Sequence, residues 1–135
     1  MADYQATART NYFRVKDQAA FNAALPGDIT VQRGQDDRIA LFADGDHGCW
    51  PTEYWPDDAD DAVEIDWPAL FAEHLVDGQV VVIIEAGAER QRFVGGWAQA
   101  IHSSGKSVSI CLDDIYALAE KELGVGQHNI TKACW

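Results

Sequence analysis

The densest chemistry in this chain is carboxylate chemistry, and it is unevenly placed. Between Ile39 and Glu89 there is no Lys or Arg, while thirteen Asp and Glu fall in that stretch. The chain as a whole has a formal net charge of −12, so this segment, at −13, carries the entire imbalance and the remainder sums to +1. Its densest run is Asp57-Asp58-Ala59-Asp60-Asp61. Carboxylates this close repel one another, which destabilises the run unless something offsets the repulsion. A solvated loop that maintains solubility is one sufficient explanation. The neighbouring Trp50, Tyr54 and Trp55 point further, because large aromatics beside charge are common interface anchors. Acids interleaved with aromatics also resemble the phosphate-and-base pattern that a nucleic-acid-binding protein expects. The competing reading is that the three aromatics fold back to cover a sheet. The candidate partner-binding set is Asp44, Asp46, Trp50, Glu53, Tyr54, Trp55, Asp57, Asp58, Asp60, Asp61, Glu64 and Asp66.

Other chemistry is weakly signalled. Asp44-Gly45-Asp46-His47-Gly48-Cys49 begins like a calcium loop, but Gly is not sixth and no Glu is twelfth. As a zinc site, His47 and Cys49 are two ligands with no Cys-x-x-Cys or His-x-x-x-His pair to complete them. A turn is the better reading. The four histidines (His47, His74, His102 and His128) are scattered, and no nucleophile elbow or Cys-His signature stands near them. His74 reads as a cation favoured at a helix C-terminus. Gly95-Gly96 and Gly124-Val125-Gly126 match no phosphate-loop pattern. Acids abound, so any pair chosen as acid and base is a weak signal. No catalytic residue, metal ligand or cofactor is assigned, and the expectation is a protein that is not an enzyme.

The elements that must position the acids follow from composition and periodicity. A chain of 135 residues, 47% hydrophobic and with five Trp and five Phe, suits one domain with a real core. Its charge repels nucleic acid and anionic membranes and favours basic partners. The start has no basic and apolar leader pattern, and Val80-Val81-Val82-Ile83-Ile84 is too short to span a bilayer. Three widely spaced cysteines, Cys49, Cys111 and Cys134, fit free thiols in a reducing compartment. The expected location is cytoplasmic.

The first few residues read as polar and frayed, with a short strand at Tyr12–Val15. Asp17 is the N-cap of a helix over Gln18–Leu25, which Pro26-Gly27-Asp28 stops. Ile29–Arg33 and Arg38–Phe42 form a hairpin across Gly34–Asp37. From about 43 to 62 the chain is a long loop rich in Asp, Gly, Pro and Trp, with room for a turn of helix or a short strand inside it, and of a length that is usually functional or partly disordered. Asp66 caps a helix with Pro68 in its first turn, ending near Asp77-Gly78. Gln79–Glu85 is a buried strand. Gly87–Arg90 turns, and Gln91–His102 is a long strand in which Gly95-Gly96 marks a bulge or a close backbone approach. Ser107–Leu112 alternates as a half-buried strand. Asp113 or Asp114 caps a last helix, Ile115–Leu123, with an apolar stripe of Ile115, Leu118, Ala119 and Leu123, and Gly124 and Gly126 end it. The tail from Ile130 is placed as an edge strand. The sum is one α+β domain: an antiparallel sheet of roughly five strands with two or three helices packed on one face.

Four pieces of the chain carry a resemblance. They are Arg9–Asp17, the Gly-Cys-Trp-Pro of residues 48–51, the Val81–Phe93 hairpin and Ser109–Tyr116. Together they resemble small acidic proteins of unassigned function carried on phages, plasmids and conjugative elements. That resemblance implies a setting in which such proteins inhibit nucleic-acid-directed defence, and it transfers no site residues. The functional expectation is an inhibitor of a nucleic-acid-binding host-defence protein, of anti-CRISPR or antirestriction type. It would bind a basic surface through clustered carboxylates as a DNA mimic and not bind nucleic acid itself. An immunity protein neutralising a basic toxin such as a nuclease uses the same electrostatics. A small metal-dependent or hydrolytic enzyme is the third reading, from a different class.

Overall fold

The computed structural model describes residues 4–57, 60–90 and 92–133. Six strands form one antiparallel sheet: β1 (Gln5–Thr10), β2 (Ile29–Arg33), β3 (Ile39–Ala43), and then β6 (Val80–Glu89), β7 (Phe93–His102) and β8 (Ser107–Cys111). Their spatial order is β2-β3-β1-β6-β7-β8. Between β3 and β6, β4 (Glu53–Tyr54) and β5 (Val63–Glu64) make a separate two-stranded ladder. The described residues also form three α-helices: α1 (Gln18–Ala24), α2 (Trp67–His74) and α3 (Asp114–Leu123). The class is α+β. No described helix is long and apolar enough to cross a membrane.

The helix starts are set by local chemistry. The Asp17 carboxylate accepts from the N–H groups of Ala19 and Ala20 at 3.0 and 3.2 Å. The Asp66 carboxylate accepts from Ala69 N–H at 3.0 Å, with Pro68 in the first turn. Each satisfies amides that the first helical turn leaves free. The β2–β3 hairpin forms as expected, from Ile29↔Ala43 to Arg33↔Ile39. The β6–β7 hairpin is longer than expected: β6 runs on through Gly87 and Ala88 to Glu89, where a turn was predicted. Gly95-Gly96 forms no bulge, because both residues hold regular register opposite Gly87 and Ala86.

Two N-terminal expectations are corrected. The segment read as frayed is β1, and it lies between β3 and β6 in the middle of the sheet. Its inward side chains, Ala8 and Thr10, are small and almost fully buried. Thr10 Oγ1 accepts from Leu41 N–H at 2.9 Å and donates to the Asn11 carbonyl at 2.8 Å, so the hydroxyl is satisfied in the core. The expected strand at Tyr12–Val15 is instead a passage making two single bridges, Phe13↔Ile39 and Val15↔Leu75.

That passage delivers Phe13 to the core. Phe13 meets Phe21 of α1 edge-on at 5.9 Å and Phe71 of α2 at 5.7 Å between ring centroids. Phe71 stacks on Trp67 at 5.6 Å, and Trp67 lies 5.0 Å from Trp50. One aromatic chain thus joins α1, α2 and the loop after β3 over the face formed by Ile39, Leu41, Val81, Ile83 and Ile101.

The C-terminal third departs most from expectation. Every residue of β8 is exposed, not half-buried, and α3 buries no side chain at all. Its predicted stripe of Ile115, Leu118 and Leu123 faces solvent, with Ala119 only partly covered. Beyond the left-handed Gly124 that ends α3, a single 3-10 turn (Gln127–Asn129) replaces the expected edge strand; Cys134 and Trp135 lie outside the described residues.

The aromatic chain makes a stability prediction. Phe71→Ala should destabilise the protein by about 3–5 kcal/mol, and Asp17→Ala, which removes only a cap, by about 1 kcal/mol. Urea denaturation measures both; equal effects would contradict this assignment of the core.

Candidate functional site

The acidic stretch is a built feature. Thr52 C=O accepts from Ile65 N–H at 2.8 Å, and above that closure Glu53 stands opposite Glu64 and Tyr54 opposite Val63. All four residues of this ladder are exposed. The ladder carries an arm whose outer part holds Trp55, Asp57, Asp60 and Asp61, each exposed; Asp58 lies outside the described residues. Trp55 is 64% exposed, high for an indole. Like charges directly opposite in a ladder are destabilising, and here Glu53 faces Glu64.

The arm borders a groove of about 540 Å³ between α1 and α2. Leu25, Ile65 and Leu70 give it apolar walls, while Tyr54, Glu64 and Asp66 line it beside the arm. A long basic side chain suits such a groove, its aliphatic stem against the apolar walls and its charge at the carboxylates.

The expected site residues divide into three groups. Glu53, Tyr54, Trp55, Asp57, Asp60, Asp61 and Glu64 are gathered on the arm, and Asp66 follows at the α2 cap. Asp44 and Asp46 are exposed in an earlier turn, closed by Gly48 N–H to the Gly45 carbonyl at 3.1 Å. There the Thr30 hydroxyl donates to the Asp44 carboxylate, and Asp28 packs beside Gly45. Asp28 therefore joins this second acidic group, although it precedes the segment that charge counting singled out. Trp50 is the correction. It is 3% exposed and belongs to the core, so it is no surface anchor.

What holds the backbone at Trp50 is Glu85, and no sequence motif announced it. Glu85 is 8% exposed on β6. Its Oε1 accepts from Trp50 N–H at 2.6 Å and its Oε2 from the Trp97 indole N–H at 3.0 Å. Nearby, the Trp67 indole donates to the Pro51 carbonyl at 2.7 Å. The chain entering the arm is thus held at Trp50 by β6 and at Pro51 by α2. Gly48, at φ 71°, allows this approach: a Cβ there would collide with the Ala6 carbonyl oxygen on β1. The Trp50 indole nitrogen itself is buried with no hydrogen-bond partner among the described residues, a deficit of about 1–3 kcal/mol that the surrounding packing must exceed.

Glu85 also sets the electrostatics of this corner. Burial pushes the Tyr4 phenol above its ordinary pKa, and the Glu85 charge, the nearby Cys49 and a hydrogen bond to Glu85 add to the rise. Burial likewise raises the Cys49 thiol, with the Glu85 charge second. Both groups are therefore held more firmly in their neutral forms. Beside them lies a cleft of about 330 Å³ lined by Tyr4, Glu85, Phe93, Trp97, Cys111 and Asp113. Cys49 and Cys111 are free thiols.

Comparison with protein families, with curated proteins and with solved structures gives no match, so these surfaces are read on their own chemistry.

Glu85→Gln tests the root. An amide offers one acceptor oxygen where two donors converge, so stability should fall by about 1–3 kcal/mol. Removing the charge should also lower the Cys49 pKa, with burial leaving part of the rise in place. The pH profile of thiol reactivity at Cys49, with Cys111 and Cys134 changed to Ser, would then move to lower pH. An unmoved profile would exclude Glu85 as a cause.

Proposed function

We propose that this protein is an inhibitor that docks its acidic arm on the basic, nucleic-acid-binding surface of a host-defence protein, of anti-CRISPR or antirestriction type. The observation that carries this reading is the juxtaposition on one arm of Glu53, Asp57, Asp60, Asp61 and Glu64 with exposed Tyr54 and Trp55, beside a groove with apolar walls. Carboxylates presented this way replace phosphates opposite Lys and Arg, and charge-assisted pairs of that kind are stronger and more directional than neutral ones. Docking releases the counterions held by both surfaces. Trp55 supplies the apolar anchor that pure charge lacks. The chain itself, at −12, is repelled by nucleic acid. Such an inhibitor acts where defence nucleases act, in the cytoplasm, and neither catalysis nor a cofactor enters the proposal.

The Glu53–Glu64 opposition supports the reading further. A ladder with two facing carboxylates at its base is destabilised in the free protein, and a guanidinium or ammonium placed between them relieves that repulsion on binding.

The test is capture of the partner from a host lysate at low and high salt, followed by titration of the purified pair. Affinity should fall steeply with salt, and changing Asp57, Asp58, Asp60 and Asp61 together to Asn should weaken it about 10- to 100-fold without unfolding the domain. Trp55→Ala should weaken it by a similar factor with the salt slope unchanged. A flat salt response would remove the mimicry reading, and full affinity in the Asn variant would move the site off the arm.

A further inference from the structure

We propose that the chain forms a two-fold dimer in which β8 pairs antiparallel with β8 of a second copy, the axis passing through Ser109. This inference stands independently of the acidic arm.

The first observation is the state of the edge. β8 ends the sheet, and Ser107–Cys111 contains no charge, proline or bulge, the devices by which edge strands are kept from pairing. The ladder with β7 fixes which backbone groups are free. Leu112 N–H bonds Gly96 C=O and His102 N–H bonds Lys106 C=O, so the even-numbered residues of β8 point at β7. Ser107, Ser109 and Cys111 therefore direct their N–H and C=O groups outward. The Cys111 N–H already meets the Asp114 carboxylate at 2.7 Å, leaving the amides of Ser107 and Ser109 open.

Those open groups are complementary to themselves. With the axis at Ser109, the two Ser109 residues exchange both bonds, and each Ser107 N–H reaches the other copy's Cys111 C=O. No donor in the pairing is orphaned, since Asp114 already serves Cys111. On the uncovered face the same register sets Val108 against Ile110 in both directions, closely spaced apolar pairs. These side chains are 74% and 67% exposed in the single chain.

The second observation is the apolar surface around that edge. Val108 and Ile110 continue rows that run through Ala100 and Ala98 to Val82 and Ile84 on the uncovered face. Beyond β8, α3 is a ten-residue helix with nothing buried, although a helix that short is marginal in water without packing. Ile84, Val94, Val108, Ile110 and Leu112 share the uncovered face and are each more than half exposed, an apolar patch of the kind that marks an interaction surface.

The third observation is charge, and it selects the occupant. From Arg90 to Leu112 the chain has no Asp or Glu, although 22 stand elsewhere. Two copies of so acidic a chain can meet along the β7–β8 hairpin without facing carboxylates, the acids of α3 following it in the chain. A basic partner is drawn to the arm, not here. An antiparallel pairing of identical strands also closes on itself, because each copy has one β8 edge.

Light scattering across a concentration series tests the assembly. A mass of twice 14.9 kDa that dissociates on dilution is expected. Val108→Asp with Ile110→Asp should abolish the dimer with an unchanged circular dichroism spectrum, since neither side chain is in the core. In a background with Cys49, Cys111 and Cys134 changed to Ser, Ser109→Cys should oxidise to a covalent dimer, whereas Gln32→Cys on the opposite edge should not. A monomer at every concentration overturns the proposal, including one that captures an apolar peptide. So does a dimer that survives both Asp substitutions and leaves Ser109→Cys unlinked.

Discussion

Everything distinctive about this molecule hangs on one buried carboxylate. Glu85 sits in the middle of the sheet's covered face, where an ion would ordinarily be excluded by the loss of its hydration. It is tolerated because protein donors take the place of water, and those donors come from far apart in the chain: Trp50 from the loop after β3, and Trp97 from the neighbouring strand. The bond to Trp50 is the decisive one. It converts the entrance of the acidic segment from a free loop into a fixed attachment, and it turns the Trp50 ring into the Trp67–Phe71–Phe13 aromatic chain. One acid of the segment is therefore spent inside the fold so that the others can be presented outside it. Charge counting treats all thirteen as equivalent, whereas their roles differ with burial.

The chain was legible where the determining interaction is short in sequence. Asp17 and Asp66 announce helix starts because a carboxylate reaches amides two or three residues ahead, and Gly124 announces an end because αL backbone favours glycine. The β2–β3 hairpin was legible because its turn, Gly34–Asp37, lies between two strands adjacent in sequence. Legibility fails where the partner is distant. Gln5–Thr10 has no large apolar residue, so nothing local marks it as a central strand. It becomes one because β6, some eighty residues later, offers a complete ladder. Trp50 has the sequence context of a surface anchor, yet its ring packs on Trp67 and its backbone is held by a glutamate thirty-five residues away. The alternation of β8 and the stripe of α3 were read correctly as two-faced elements. Their burial did not follow, because the aromatic core is already closed by α1 and α2 and, among the described residues, no further layer covers the other face.

The molecule thus separates its surfaces by polarity. The β4–β5 arm gathers carboxylates with Tyr54 and Trp55, while the β7–β8 hairpin carries exposed apolar side chains and no acid. Electrostatic surfaces of this type act over nanometres and are tuned by salt; apolar ones act on contact and are tuned by temperature. The sheet supports both from one element, since β6 holds the arm's root through Glu85 and contributes Ile84 to the uncovered face.

The Glu53–Glu64 pair gives the arm an ionic sensitivity of opposite sign to that of any basic ligand it holds. Added salt screens the repulsion between those two carboxylates and tightens the ladder, while the same salt weakens attraction to a cation. The free ladder is therefore held most firmly at the ionic strengths at which a cation would be held least firmly.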